Sequence, residues 1–381
     1  MIHKNVIEVI RKEVSCLEDP RVLGRCNHSL FDIVVLTLCG VIAGCEGWES
    51  IVLHAKDRKE WFSQFLVLEN GIPHPTTFSR VFERLCPDSF QRLLLAIADA
   101  LRSAFEGRII LSIDGKALRH SFDKSIGQNH IHVVSAYDGQ SGVTIGQVAT
   151  ACKSNEITAI PKLLELIDVS GAVVTLDAMG CQREIVEKIV AQEGDYIISL
   201  KGNQSTLHDQ VKGYFSDTTM AELEERPGSS ILYTVEKGHG RVEERAYVIV
   251  KDVDWIEGRS KWANLNCIGM AISRRTINGK ISEERRHFIA SIEPDVALFE
   301  KGVRGHWSIE NSAHYVLDVT FREDDSRIRR DYSPENMAIF RRLAIALLQN
   351  ETSTKRSIKQ KSRLTFRDDQ YLEQVLRINP N

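Results

Sequence analysis

Two short runs constrain this chain more than any other feature. Ile109-Ile110-Leu111-Ser112-Ile113 and Ala172-Val173-Val174-Thr175-Leu176 are apolar and rich in β-branched residues, and each stops at an aspartate, Asp114 and Asp177. Such a run reads as a strand buried on both faces, the kind found where helices cover both sides of a sheet. Side chains at the carboxyl ends of neighbouring parallel strands converge on one crevice. Taken singly, an Asp after a strand is commonly a turn residue. Taken together, Asp114 and Asp177 would face a common space.

The surrounding pattern predicts a mixed sheet. Segments 130–137 and 143–150 read as strands joined by the hairpin signal Asp138-Gly139-Gln140-Ser141-Gly142. Helical patterns follow at 155–167 and 182–192, with a further strand at 196–200. A meander followed by crossover helices implies parallel pairing after the first helix. The expected class is therefore α/β, a mixed sheet flanked by helices. Residues 1–105 read as an all-helical N-terminal domain. There Thr76 is expected to cap a helix that turns Phe78, Val81, Phe82 and Leu85 inward and Arg80 and Arg84 outward. Short helices of this kind suit a helix-turn-helix-like DNA module and a plain bundle equally. Residues 106–349 form the expected core. Within it 204–286 reads as a β-rich insertion, grafted on rather than placed between the two Asp-ending strands. Residues 350–381 read as a basic polar tail, disordered or folding on DNA.

A later helix offers a third carboxylate. After Gly305, the residues Ile309, Ala313, Val316, Leu317 and Thr320 repeat at helical spacing, while Trp307, Glu310 and His314 share another face. Asp318 competes with Glu310 but points about 80° away. The cluster Glu323, Asp324 and Asp325 reads as capping or solvating a helix end, and Glu156 as a first-turn anion. Lys116 and Arg119 follow one strand end and Lys201 another. A cationic rim around an anionic pair suits a phosphodiester substrate with Mg²⁺ or Mn²⁺, which take hard oxygen ligands. Two ions about 3.5–4 Å apart could activate the attacking oxygen and stabilise the leaving one. A glycosidase also uses paired carboxylates, but its chemistry does not call for such a rim.

Composition narrows the alternatives. The formal net charge over 381 residues is −3, so a nucleic-acid role must rest on local patches. One exists: residues 301–367 hold 14 Lys and Arg against 8 Asp and Glu. Eight cysteines without a C-x-x-C pair argue against a zinc site and a disulfide framework, and read as reduced thiols of a cytosolic protein. The longest apolar run, 33–45, is shorter than the roughly 20 residues that span a bilayer, and the N-terminus lacks a signal-peptide block. No membrane partner is expected.

With these motifs in place the sequence resembles the DDE-type insertion-sequence transposases, most closely the H-repeat-associated group linked to Rhs elements. The resemblance rests on Leu111-Ser112-Ile113-Asp114-Gly115-Lys116-Ala117-Leu118-Arg119, Lys153-Ser154-Asn155-Glu156-Ile157 and Thr175-Leu176-Asp177-Ala178-Met179-Gly180-Cys181-Gln182. It continues through Lys201-Gly202-Asn203-Gln204, His239-Gly240-Arg241 and Gly305-His306-Trp307-Ser308-Ile309-Glu310-Asn311. Gly71-Ile72-Pro73-His74 with Thr77-Phe78-Ser79-Arg80-Val81-Phe82 is similar to the group's associated N-terminal region.

The resemblance implies an RNase H-like core with Asp114, Asp177 and Glu310 as both the catalytic and the metal-binding residues, holding two Mg²⁺ or Mn²⁺ ions. It implies cleavage at element ends and strand transfer, with inverted-repeat and target DNA as partners, a homodimer on DNA and a bacterial cytoplasmic, nucleoid-associated location. Lys116, Arg119, Lys201, Asn203, His239, Arg241, Arg304, His306 and Trp307 are the expected DNA contacts. Ala313, Tyr315, Val303, His306 and Leu317 depart from the related elements' residues at their positions. Two other functions stay open: a catalytically inactive DNA-binding remnant, and a metal-dependent nuclease without strand transfer.

Overall fold

The computed structural model describes residues 5–22, 24, 26–101, 108–122, 127, 129–150, 156–238 and 240–378. In chain order it opens with α1 (Val6–Ser15), α2 (Leu30–Ile42), α3 (Trp48–Asp57), α4 (Lys59–Phe62), α5 (Pro75–Arg84) and α6 (Pro87–Leu101). The strands β1 (Ile110–Leu118), β2 (Ile131–Asp138) and β3 (Val143–Thr150) follow, then α7 (Glu156–Leu166), β4 (Val173–Leu176), α8 (Arg183–Ala191) and β5 (Asp195–Leu200). Next come α9 (Ser205–Asp217), α10 (Met220–Glu225), β6 (Ser229–Gly238), β7 (Arg241–Val250), β8 (Cys267–Ile277) and β9 (Lys280–Ala290). The chain closes with α11 (Val296–Ser308), α12 (Tyr315–Val319), α13 (Ser333–Asn350), α14 (Ile358–Thr365) and α15 (Asp369–Val375).

The nine strands order as β3-β2-β1-β4-β5-β9-β8-β7-β6. β2 and β3 are antiparallel, and β1, β4 and β5 run parallel, as crossover helices require. A hairpin beside parallel strands in this order is the RNase H-like arrangement. Two compact units divide the chain: residues 1–105, 115–155 and 310–381 in one, 106–114 and 156–309 in the other.

In the first unit α2 is apolar on every side and is accordingly buried all round. α13 is buried along most of its length, its Phe340 packed edge-on against Phe82 of α5 and Phe90 of α6. Pro334 in its first turn starts that helix as expected. Phe78, Val81, Phe82 and Leu85 point inward and Arg80 and Arg84 outward, also as expected. The cap of α5 is His74 rather than Thr76: its Nδ1 accepts from the Thr76 amide, and Pro75 takes the first helical position.

The tail departs from the expected disorder. Ser357 and Gln360 form a capping box at the start of α14, and Asp368 caps α15. Tyr371, Leu372, Val375 and Leu376 are buried, and the Val6 amide donates to Leu376 O.

In the second unit β9 pairs antiparallel with β5 and carries β8, β7 and β6 outward from it. The β-rich stretch therefore extends the sheet edge, and none of its strands separates β1 from β4. Its first part, α9 and α10, is helical, within a stretch that reads as β-rich overall. Thr219 and Glu222 form a capping box there. α11 lies close on the strands because Gly302 and Gly305 carry no Cβ. A Cβ on Gly302 would stand 2.5 Å from Ile197 Cδ1, and one on Gly305 3.1 Å from Ile110 Cγ2.

Candidate active site

The register of β1 and β4 sets Ile113 beside Leu176. One residue further on come Asp114 and Asp177, both half-buried, on strands about 4.8 Å apart. Asp177 also has the turn role an isolated Asp would have. Its Oδ1 accepts from the amides of Met179 at 2.9 Å and Gly180 at 3.2 Å, whereas Oδ2 has no hydrogen bond among the described residues. The loop after it is held from behind, as Asn203 Nδ2 donates to Ala178 O at 2.6 Å and Gln204 Nε2 to Cys181 O at 2.9 Å. Asn203, expected on DNA, thus braces the Asp177 loop.

A polar chain lies under the aspartates. Ser112 and Thr175 are cross-strand partners, each two residues before its Asp. Thr175 Oγ1 donates to Ser112 Oγ at 3.1 Å and stands 3.2 Å from His306 Nδ1. With the threonine proton directed to Ser112, Thr175 accepts from His306 Nδ1–H, and Nε2 is the unprotonated nitrogen of a neutral ring. Burial pushes the His306 pKa down, Asp177 pulls it back, and Arg286 adds to the fall. The next residue, Trp307, is 39% exposed with Arg286 stacked 4.7 Å over its ring. Sequence reasoning missed Ser112, Thr175 and Arg286. Two hydroxyls at matching places in otherwise apolar runs were the available signal for the first pair.

Glu310 is exposed on a π-helical turn, Ile309–His314, that joins α11 to α12. Such turns are rare and recur at functional sites. Ile309, Ala313 and Leu317 are buried as expected, while Val316 and Thr320 are only half-buried. Among the described residues no group of three or more His, Cys, Asp or Glu side chains forms a metal cage. Asp114 and Asp177 do supply the hard oxygens that Mg²⁺ and Mn²⁺ take.

The cationic rim is only partly free. Lys116 is buried, and its Nζ lies 2.7 Å from Asp318, 2.9 Å from Asp324 and 3.6 Å from Glu323. Burial penalises its charge, but Glu323, Asp318 and Asp324 together outweigh that and raise its pKa. It is spent on the fold and is not offered to a phosphate. Glu323 likewise is no solvated cap: it is 1% exposed and also pairs with Arg342 at 3.3 Å and Arg341 at 3.9 Å. The sequence showed a polar run at 323–325 but not that α13 would bring two arginines to it.

Arg119 is exposed and pairs with Asp324 at 3.1 Å. Arg241 pairs with the buried Glu243 at 2.8 Å, and Arg304 with Glu236 at 2.5 Å. Lys201 is exposed at the end of β5. His239 lies outside the described residues. Among the described residues no helix is long and apolar enough to cross a membrane.

Comparisons with known proteins agree with the motifs. The transposase DDE domain family matches residues 106–348, and its associated N-terminal family matches 12–97. The H repeat-associated, unproven transposase YhhI of Escherichia coli K12 is 36% identical over 97% of this chain and 98% of its own length. YncI of Escherichia coli O157:H7, also named as an unproven transposase, is 36% identical over 97% of this chain and 95% of its own. A piggyBac transposase synaptic complex with hairpin DNA aligns at TM-score 0.42 and 11% identity, covering 98% of this chain and 79% of that one. The full-length match and the paired strand-end aspartates meet in one statement: the chain belongs to the DDE transposase family.

Proposed function

We propose that the chain cuts phosphodiester bonds at the ends of an insertion element and joins them to target DNA. The observation that carries the reading is the pair Asp114 and Asp177 at adjacent parallel strand ends inside the family-matched region. DDE transposases use divalent metal ions. Here Asp114, Asp177 and Glu310 would hold two Mg²⁺ or Mn²⁺, which when bound supply charge stabilisation on both sides of an in-line displacement. Asp177 would offer Oδ2, since its Oδ1 is tied to the loop. Asn203 and Gln204 would keep that loop, and so the carboxylate, in one orientation. His306, fixed through Thr175, would present Nε2 to the same region as a neutral acceptor. Of the expected contacts, Lys201, Asn203, Arg119, Arg241, Arg304 and Trp307 are exposed and would meet DNA, which would be bound by a dimer. The core would run from 106 to 349, interrupted at 204–286.

Asp114→Asn, Asp177→Asn and Glu310→Gln should each lower Mg²⁺-dependent cleavage of inverted-repeat DNA by about 10³-fold or more. DNA binding should persist, because removing a carboxylate lowers repulsion with phosphate. Asp318→Asn should cleave nearly normally, its carboxylate being engaged with Lys116. If Asp318→Asn is dead and Glu310→Gln is active, the third ligand is misassigned. One observation favours an inactive DNA-binding remnant instead: Asp177 already has a complete turn role. DNA binding without any cleavage by the unaltered chain would decide for that alternative. Cleavage without joining would leave a nuclease.

A further inference from the structure

The folded tail carries an arginine face that neither matched domain family reaches, since the matches end at residue 348. Residues 350–381 hold seven Lys and Arg and four Asp and Glu. All four carboxylates are used by the fold. Glu351 accepts from the Tyr371 hydroxyl at 2.5 Å and pairs with Lys361 at 3.7 Å. Asp368 caps α15, Asp369 pairs with Arg58 at 2.8 Å, and Glu373 accepts from Trp61 Nε1 at 2.7 Å.

The cations divide by face. Lys361 is turned inward and donates to Leu348 O at 3.0 Å and to Glu351 O. Thr365, on the same inward side, is fully buried and donates to Ile42 O at 3.3 Å. On the outer side Arg356, Arg363 and Arg367, with Gln360 and Leu364, line an open cleft of about 320 Å³. All three arginines are exposed, and among the described residues none of them is in an ion pair. Arg363 lies in α14, with Arg356 two residues before its first residue and Arg367 two residues after its last. Three like charges line the cleft, and no acid lines it to offset them.

We infer that this face is a docking surface for the phosphodiester backbone of duplex DNA, separate from the strand-end aspartates. Arginine forks match phosphate oxygens in a bidentate way, so three of them around one cleft form a phosphate reader rather than a diffuse charge. Contacts to phosphate oxygens take no account of base sequence. The inference rests on the reading of the chain as a DNA enzyme.

The test is the full-length triple variant Arg356→Ala, Arg363→Ala, Arg367→Ala, titrated with duplex DNA over a range of NaCl, beside the unaltered chain. Three lost phosphate contacts should reduce the slope of log K against log salt by up to about 2.7, at about 0.9 per contact. The melting temperature should not fall, since the three side chains support nothing else. An unchanged slope in a folded variant overturns the inference and leaves the proposed function standing. A chain that binds no DNA before mutation removes both. If the variant keeps its DNA slope but loses affinity for polyglutamate, the face serves an acidic protein partner and the DNA inference falls.

Discussion

Two acidic groups in this protein use the same residue types for opposite ends. In one unit Glu323, Asp318 and Asp324 meet Lys116, Arg341 and Arg342 in a partly buried ionic network. In the other, Asp114 and Asp177 sit side by side at adjacent parallel strand ends, and the loop amides of Met179 and Gly180 hold Asp177 Oδ1. Buried charges persist only when paired, so the first group is bound to the fold. Adjacent like charges raise the energy of a site unless a cation enters it. A carboxylate's function is therefore read from what neutralises it, not from its place in a run of acids.

The comparison breaks most sharply under substitution. Asp177→Asn should abolish cleavage, as argued above, while changing stability little, because Asn keeps the Oδ1 that accepts from the Met179 and Gly180 amides. Glu323→Ala should do the reverse in kind. It leaves three cations without their buried partner and should cost about 3–5 kcal/mol of stability, read by chemical denaturation. A Glu323→Ala protein that melts normally would mean the network contributes nothing to the fold.

A smaller effect comes from the close approach of α11. Gly302→Ala puts a methyl 2.5 Å from Ile197 Cδ1, and overpacking of this kind costs about 1–3 kcal/mol. The cleavage loss should exceed what the stability loss explains, because the same helix leads into the turn that carries Glu310. Equal loss in both would make Gly302 a packing residue only.

Acid sensitivity gives a third contrast. His54 is buried between Phe62 and Phe366, and neither ring nitrogen has a hydrogen-bond partner. Burial first, then Arg58, push its pKa down from 6.5 to about 4. The unfolded chain thus binds the extra proton first. Stability from this group is complete above about pH 6.5 and is lost as pH falls towards 4. His54→Phe should flatten that limb of the stability profile. Glu335, raised to about 7 by burial and by Asp88, works the other way, stabilising at low pH and losing that contribution as pH rises from 4.5 through 7. A Glu335→Gln background would isolate the histidine.

How much of this was legible follows from what kind of force placed each group. The apolar periods gave β1, β4, β5 and the inward face of α5, because burial is written in local spacing. The adjacency of Asp114 and Asp177 followed from crossover topology. The fates of Lys116 and Glu323 did not, since Arg341 and Arg342 come from a helix many residues away in the chain. The tail was read from its charge as disordered or folding on DNA, but its capping residues and the apolar Tyr371, Leu372 and Val375 outweigh that charge. The helices at 205–225 were lost among strand signals on either side. The π turn at Glu310 has no period of its own to read.

The finest test separates two lysines that look alike in sequence. Lys116 and Lys201 each follow a strand end, and both read as parts of a cationic rim. Lys116 is 7% exposed and has three acids within 3.6 Å, whereas Lys201 is exposed. A phosphate contact releases counterions, so Lys201→Ala should lower the salt slope of DNA binding by about 0.9. Lys116→Met should leave that slope unchanged and instead destabilise the fold, because three carboxylates lose the cation between them. The two readouts are independent, one an equilibrium titration against salt and the other a denaturant midpoint. A slope that falls for Lys116→Met without loss of stability would show that its ammonium leaves the acids when DNA binds. In that case the contrast between a structural and a substrate-facing cluster would hold only for the free protein.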